Sequence, residues 1–198
     1  ARMATLKEIL KSAGPALAEV TEHLQKLSTE ERIKQVVEIN KANQIKLWEM
    51  AEKGKSLSLE YLVPANAKVL EPYPFEGKNS LPIYTRFQKV FYRQSDGAIG
   101  GYNNSPVAWL VGWGYYVAEQ SSKNPKELAV NYMKIPKEKP AGWPEIKSNT
   151  AGFSRFVYDS TVDFLRWVSD DVLIGRAFRR GEKEMPNWFV LCRKIPRK

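Results

Sequence analysis

From Phe156 to Arg180 the chain reads FVYDSTVDFLRWVSDDVLIGRAFRR. Asp159, Asp163, Asp170 and Asp171 are threaded through aromatic and β-branched residues, with Arg166 and Arg176 beside them. Carboxylates in such a run can act as general acids or bases. Asp159 and Asp163 lie four residues apart, about 13 Å along an extended strand. That is too far for a dyad sharing a proton and wider than the separations used in glycoside hydrolysis. Either one alone could move a proton in an isomerase or cyclase acting on an apolar substrate. Ser169-Asp170-Asp171 has turn chemistry instead, because Asp side chains bond nearby backbone N–H groups.

Pleat alternation from Phe156 to Val168 puts Asp159, Asp163, Leu165 and Trp167 on one face. Tyr158, Phe164 and Arg166 fall on the other, with Phe156. Arg166 and Tyr158 on a shared apolar face could anchor the acid group of a ligand, since guanidinium–carboxylate hydrogen bonds are strong and directional. The expectation is that Arg166 points inward with Tyr158 while Asp159 and Asp163 face outward or toward helices. Arg86 and Arg176 are further strand cations, as is Arg155. Trp109, Trp113, Tyr115 and Tyr116 crowd a second run and could line the same pocket. The plain alternative for any single aromatic is core packing; as a set of 6 Trp, 9 Tyr and 8 Phe they supply ample pocket wall.

Other chemistries are excluded by composition. His23 is the one histidine and Cys192 the one cysteine. Cysteine-rich zinc sites and intrachain disulfides therefore fall away, and Ser-His-Asp or Cys-His catalysis would have to use His23. His23 sits in a Leu-rich helical segment and reads as a helix-surface or interhelix residue. GAIGGYNN lacks the Gly-Lys-Ser/Thr of a phosphate loop and opens no helix. No cofactor or metal is expected. The Asn103-Asn104-Ser105 triplet matches a glycosylation acceptor, which Pro106 and the lack of a visible secretion signal argue against.

These residues must be positioned by two unlike regions. Through residue 54 the spacing is helical: Thr5 to Ser12, then Leu17, Val20, Leu24 and Leu27 after Pro15. A long helix then opens at Ser28, where Glu31 completes a capping-box spacing, and runs to Gly54. From Ser56 the period becomes two, beginning with LSLEYLV, and aromatic-rich runs follow to the C-terminus, separated by Gly-, Asn- and Asp-bearing turns. Gly77-Lys78-Asn79 and Asn103 to Pro106 are among the turn signals. The pattern predicts an α+β fold: a helical cap of about three helices over 1–54, packed on an antiparallel lipocalin-like β-barrel of eight to ten strands over 55–198. The helices could gate or plug one barrel end.

The C-terminal strands carry a likeness. Val157-Tyr158-Asp159, Asp163 to Asp171, Leu173 to Gly175 and Phe189 to Arg193 resemble the closing strands of the small bacterial domain of unknown function found behind GXWXG-type domains. GWGYY at Gly112–Tyr116 departs from the GXWXG signature itself. The resemblance implies a calycin-type barrel and no particular reaction. Helices joined to such a barrel are also similar in architecture to dinoflagellate luciferase domains, a resemblance that implies several helical histidines where this chain has one.

The formal net charge is +9. Basic residues are dispersed and form no block, so a solvated basic surface is favoured over a nucleic-acid interface, which is retained as an alternative. No apolar run reaches the length of a membrane helix. The partner expected is a small hydrophobic molecule, with or without an acid group. The compartment expected is the cytoplasm or another reducing one, a removed targeting segment being the alternative.

Overall fold

The computed structural model describes residues 3–108, 112–150 and 158–195. Among these residues five α-helices precede eight strands: α1 (Leu6–Lys11), α2 (Leu17–Lys26), α3 (Thr29–Val36), α4 (Lys41–Met50) and α5 (Leu59–Leu62). The strands are β1 (Tyr73–Asn79), β2 (Arg86–Arg93), β3 (Ile99–Asn104), β4 (Tyr116–Gln120), β5 (Leu128–Asn131), β6 (Thr161–Trp167), β7 (Val172–Arg179) and β8 (Lys183–Arg193). They close in sequence order into an antiparallel barrel, β8 pairing back onto β1. The fold is α+β, and the barrel is consistent with the calycin-type architecture that the C-terminal likeness implies. No helix among the described residues is long and apolar enough to cross a membrane.

Local chemistry accounts for the helices. Thr5 and Glu8 form a reciprocal capping box on α1, and the Ser28 hydroxyl accepts from the Glu31 N–H to start α3. The long helix expected from Ser28 to Gly54 is two helices. Asn40 takes an extended backbone and its side chain caps Asn43, restarting the chain as α4. The LSLEYLV segment, expected as a strand, instead holds α5, and β1 runs through Gly77-Lys78-Asn79, read above as a turn. In both cases tertiary packing overrides the local signal. Tyr61 and Leu62 of α5 join the barrel-interior cluster, while Gly77 leaves room for the Phe87 ring.

Helices α1 to α4 pack on the outer barrel wall and cover neither end. Leu10, Leu24, Val36 and Leu47 pack against the outer residues Val162, Phe164, Val172, Ile174 and Val190 of β6 to β8. Thr21 Oγ1 donates to the Val168 carbonyl at 2.7 Å, and the Arg32 guanidinium meets Asp171 at 2.8 Å. Arg193 meets the other carboxylate oxygen of Asp171 at 3.2 Å. Asp171 is thus both the expected turn residue and the joint between helices and barrel.

One barrel end is closed and the other open. Leu57, Tyr61, Leu62 and Val63 cover the end where β6 turns into β7, above Phe75, Phe91, Leu165 and Leu191. The Tyr61 hydroxyl donates to the Ser169 carbonyl there. Two interior glycines set the packing: the Phe189 ring occupies the space a Cβ would need on Gly175, and the Tyr116 ring does so at Gly101. Toward the opposite end the interior turns polar and a cavity begins.

Candidate ligand-binding site

The cavity measures about 340 Å³, the size range of small-molecule pockets. Leu81, Pro82, Ile83 and Tyr84 of the β1–β2 loop form its mouth; Phe87, Phe189 and Ala177 form walls. Lys89, Asn103, Tyr132, Tyr158, Thr161 and Asp163 supply its polar groups.

Strand geometry explains how these meet. Phe87, Lys89 and Phe91 alternate inward on β2, and Asn103 is the cross-strand partner of Lys89 on β3. Asp163 faces the lumen from β6, between its neighbours Val130 on β5 and Ala177 on β7. The four-carbon stem of Lys89 spans the interior toward it. Lys89 Nζ lies 3.3 Å from Asp163 Oδ2, 2.6 Å from Tyr132 Oη and 3.0 Å from Asn103 Oδ1. Asn103 Nδ2 donates to the same Tyr132 hydroxyl at 2.7 Å. The rings of Tyr116, Tyr132 and Phe189 stand 4.8, 5.1 and 5.2 Å from Nζ. Tyr158 stacks on Tyr132 with centroids 5.1 Å apart.

Lys89 is 1% exposed and Asp163 6%. Burial lowers the Lys89 pKa, opposed by the Asp163 charge and hydrogen bond. Burial raises that of Asp163, opposed by Lys89 and by a hydrogen bond from Tyr132. Tyr132 is pushed well above the usual phenol range by burial and by Asp163, and Tyr158 to about 12, chiefly by burial. Both phenols keep their protons at neutral pH. An ammonium has three N–H donors, and here each has a partner. The cavity floor is a compensated, hydrogen-bonded pair in an apolar shell rather than a free charge.

The sequence-derived site is only partly assembled. Tyr158 and Asp163 line the cavity. Arg166 does not point inward: Nε bonds Glu127 Oε1 at 2.8 Å, Nη1 bonds the Trp48 carbonyl at 2.9 Å, and the guanidinium lies 3.8 Å from the Trp48 ring centroid. It faces the helices, where the aspartates were expected. The cause is local. Tyr158, Asp159 and Ser160 form a turn, Ser160 has φ 56°, and β6 begins at Thr161. Pleat counting from Tyr158 therefore slips before it reaches Asp163.

Asp159 is half-buried in that turn beside Ser160 and outside the cavity lining. Arg176 is also on the outer wall, against Glu184 at 3.0 Å and over Trp188. Arg86 is exposed at the barrel rim. Trp113 and Tyr115 belong to an outer aromatic layer with Tyr102, and the Tyr115 hydroxyl donates to the Pro144 carbonyl. Tyr116 is interior, its hydroxyl held by the Val90 carbonyl at 2.8 Å and its ring against Lys89. Trp109 and Arg155 lie outside the described residues. His23 is buried between helices, bonded to Gln35 at 2.8 Å, as an interhelix histidine.

Lys89, Asn103 and Tyr132 were missed. The available signal was RFQKVFYR, in which Lys89 shares its pleat face with Phe87 and Phe91. A lysine flanked on one face by aromatics is placed to be buried. Asn103, read as part of a turn, lies within β3 with its side chain inside the barrel. Comparison of the chain with known protein families, with curated proteins and with solved structures finds no match in any of the three, so the site is read from its own residues.

Proposed function

We propose that the barrel binds a small, mainly apolar molecule in the cavity between its mouth at Leu81–Tyr84 and its floor at Lys89 and Asp163. The observation that carries this reading is an apolar-walled space of about 340 Å³ ending in one hydrogen-bonded polar cluster. Apolar walls supply affinity and a few placed polar groups supply orientation. A lipocalin-like role of this kind agrees with the calycin-type architecture.

The polar end of the ligand is better uncharged than acidic. The three donors of Lys89 are engaged and its charge is matched by Asp163, so a carboxylate entering here would face an aspartate without a free cation. A carbonyl or hydroxyl group instead finds Asn103, Tyr158 and Thr161 around it. Native mass spectrometry of the purified protein, followed by displacement of a fluorescent apolar probe, tests the reading. Neutral ketones or alcohols should displace the probe more effectively than the fatty acid of equal chain length. A cavity that takes no probe would overturn it.

A second reading is favoured by Asp163 itself: a buried carboxylate of raised pKa in a cavity, beside Lys89 and Tyr132, suits proton transfer on an apolar substrate. Asp163→Asn separates the two. Binding retained with turnover lost supports an isomerase or cyclase; no turnover in the wild type with any ligand that binds supports a carrier. For nucleic acid, Tyr84 is the one strongly exposed aromatic side chain among the described residues, which leaves little for base stacking.

A further inference from the structure

The cavity mouth has a second character. Leu81, Ile83 and Tyr84 are 44%, 65% and 62% exposed, yet the same residues line the cavity. Their presentation is built. Asn79 accepts from the Leu81 N–H at 3.0 Å and donates to the Tyr84 carbonyl at 3.2 Å, and Ser80 N–H is tied to the Trp188 carbonyl. Tyr84 holds a left-handed backbone with φ 51°, a conformation bulky residues rarely adopt.

Immediately below this apolar tip the barrel is basic. Lys78 and Arg86 are direct cross-strand partners on the outer face. Like charges placed opposite each other in a sheet are unfavourable; burial, Arg86 and Lys7 depress the Lys78 pKa, opposed by Glu38. The neighbouring β7–β8 hairpin opens at the same barrel end and adds exposed Arg179, Arg180 and Lys183. Its acids are Glu182 and Glu184, the latter bound to Arg176.

We infer that this end docks on an anionic lipid surface, the Leu81–Tyr84 loop entering the apolar layer and the Lys78–Arg86 collar meeting the headgroup phosphates. The inference rests on the cavity being a ligand site, and it names the reservoir from which an apolar ligand would come. A shallow apolar contact is reinforced by basic residues near an anionic surface. Charge complementarity selects this occupant, since Lys78 has Arg86 and Lys7 beside it against Glu38, and headgroup phosphates supply the further anions this cluster of cations favours.

The test is co-sedimentation with phosphatidylcholine vesicles, with and without phosphatidylglycerol, for the wild type, the double variant Leu81→Asp/Ile83→Asp, and Arg86→Glu. The wild type should bind the anionic vesicles best and release as salt rises. The double variant should lose roughly tenfold or more of that binding, and Arg86→Glu should lose most of the preference for anionic lipid. Probe binding by the wild type in vesicle-free buffer reports the cavity, and the thermal midpoint of each variant reports the integrity of the fold. Wild type that ignores both vesicle types while still binding the probe overturns the docking and leaves the cavity reading intact. Vesicle binding without probe binding overturns the cavity reading instead. A double variant that binds vesicles as the wild type does overturns the docking. So does a wild-type dimer that the tip substitutions convert to a monomer without any vesicle binding, because the tip would then be a contact between copies of this chain.

Discussion

Removing Lys89 should reveal how far the pair at the cavity floor is from water. Lys89→Met keeps the length of the stem and deletes the ammonium, leaving Asp163 inside the barrel with Tyr132. Breaking a buried pair by deleting one partner costs about 3–5 kcal/mol. The cost should depend on pH with a sign that follows from burial. The Asp163 carboxyl is already raised by burial and held down by Lys89, so the variant raises it further. Above the unfolded pKa of about 3.9 the unfolded chain then ionises more readily than the folded one, and stability falls as pH rises, by up to about 1.4 kcal/mol per pH unit. Asp163→Asn should do the reverse. Lys89, whose pKa burial depresses, is left without its counterion, the unfolded chain binds the proton more tightly, and stability rises toward the unfolded pKa of about 10.4. The double variant Lys89→Met/Asp163→Leu should lack both slopes and be within about 1 kcal/mol of wild type or more stable than it, because an apolar replacement of a buried pair is often neutral or stabilising. Urea unfolding between about pH 5 and about pH 8, each variant referred to wild type at the same pH, reads all three. Single variants with no slope, or with slopes of the same sign, would refute the claim that these charges are desolvated.

Three further expectations follow from the packing. Gly175→Ala places a methyl group in the space of the Phe189 ring and should lower stability by about 1–3 kcal/mol as judged by the thermal midpoint; an unchanged midpoint would mean the ring moves freely. Arg166→Ala should cost about 1–3 kcal/mol through loss of Glu127 and Trp48 contacts while leaving the probe affinity unchanged, since Arg166 stands outside the barrel; a selective loss of probe binding would contradict its placement. The Cys192 thiol is buried and burial pushes its pKa up to about 12, so a thiol reagent should label it only on unfolding; rapid native labelling would contradict the β8–helix packing.

That helices precede strands was legible in the chain because the hydrophobic period changes from near four to two, and period depends only on local backbone geometry, although the helices run on through α5 and the first strand begins at Tyr73. The caps at Ser28 and the turn at Ser169–Asp171 were legible for the same reason. Elements whose local pattern competed with burial were not. LSLEYLV alternates like a strand but closes the barrel as α5, and the Gly77 segment reads as a turn but forms β1 because an interior ring needs the space. The site shows the division most clearly. Tyr158 and Asp163 could be picked out by type, and a pocket by the supply of aromatics and the absence of histidine and cysteine chemistry. Which cation reaches the lumen could not, because a turn of one residue more or less reverses every side chain that follows it. Ser160, in a left-handed conformation, makes that slip and sends Arg166 to the helices and Asp163 inside. The Lys89–Asp163 pair joins strands 74 residues apart, and only barrel closure, which brings β2 and β6 to opposite walls of one lumen, puts an ammonium within reach of that carboxylate.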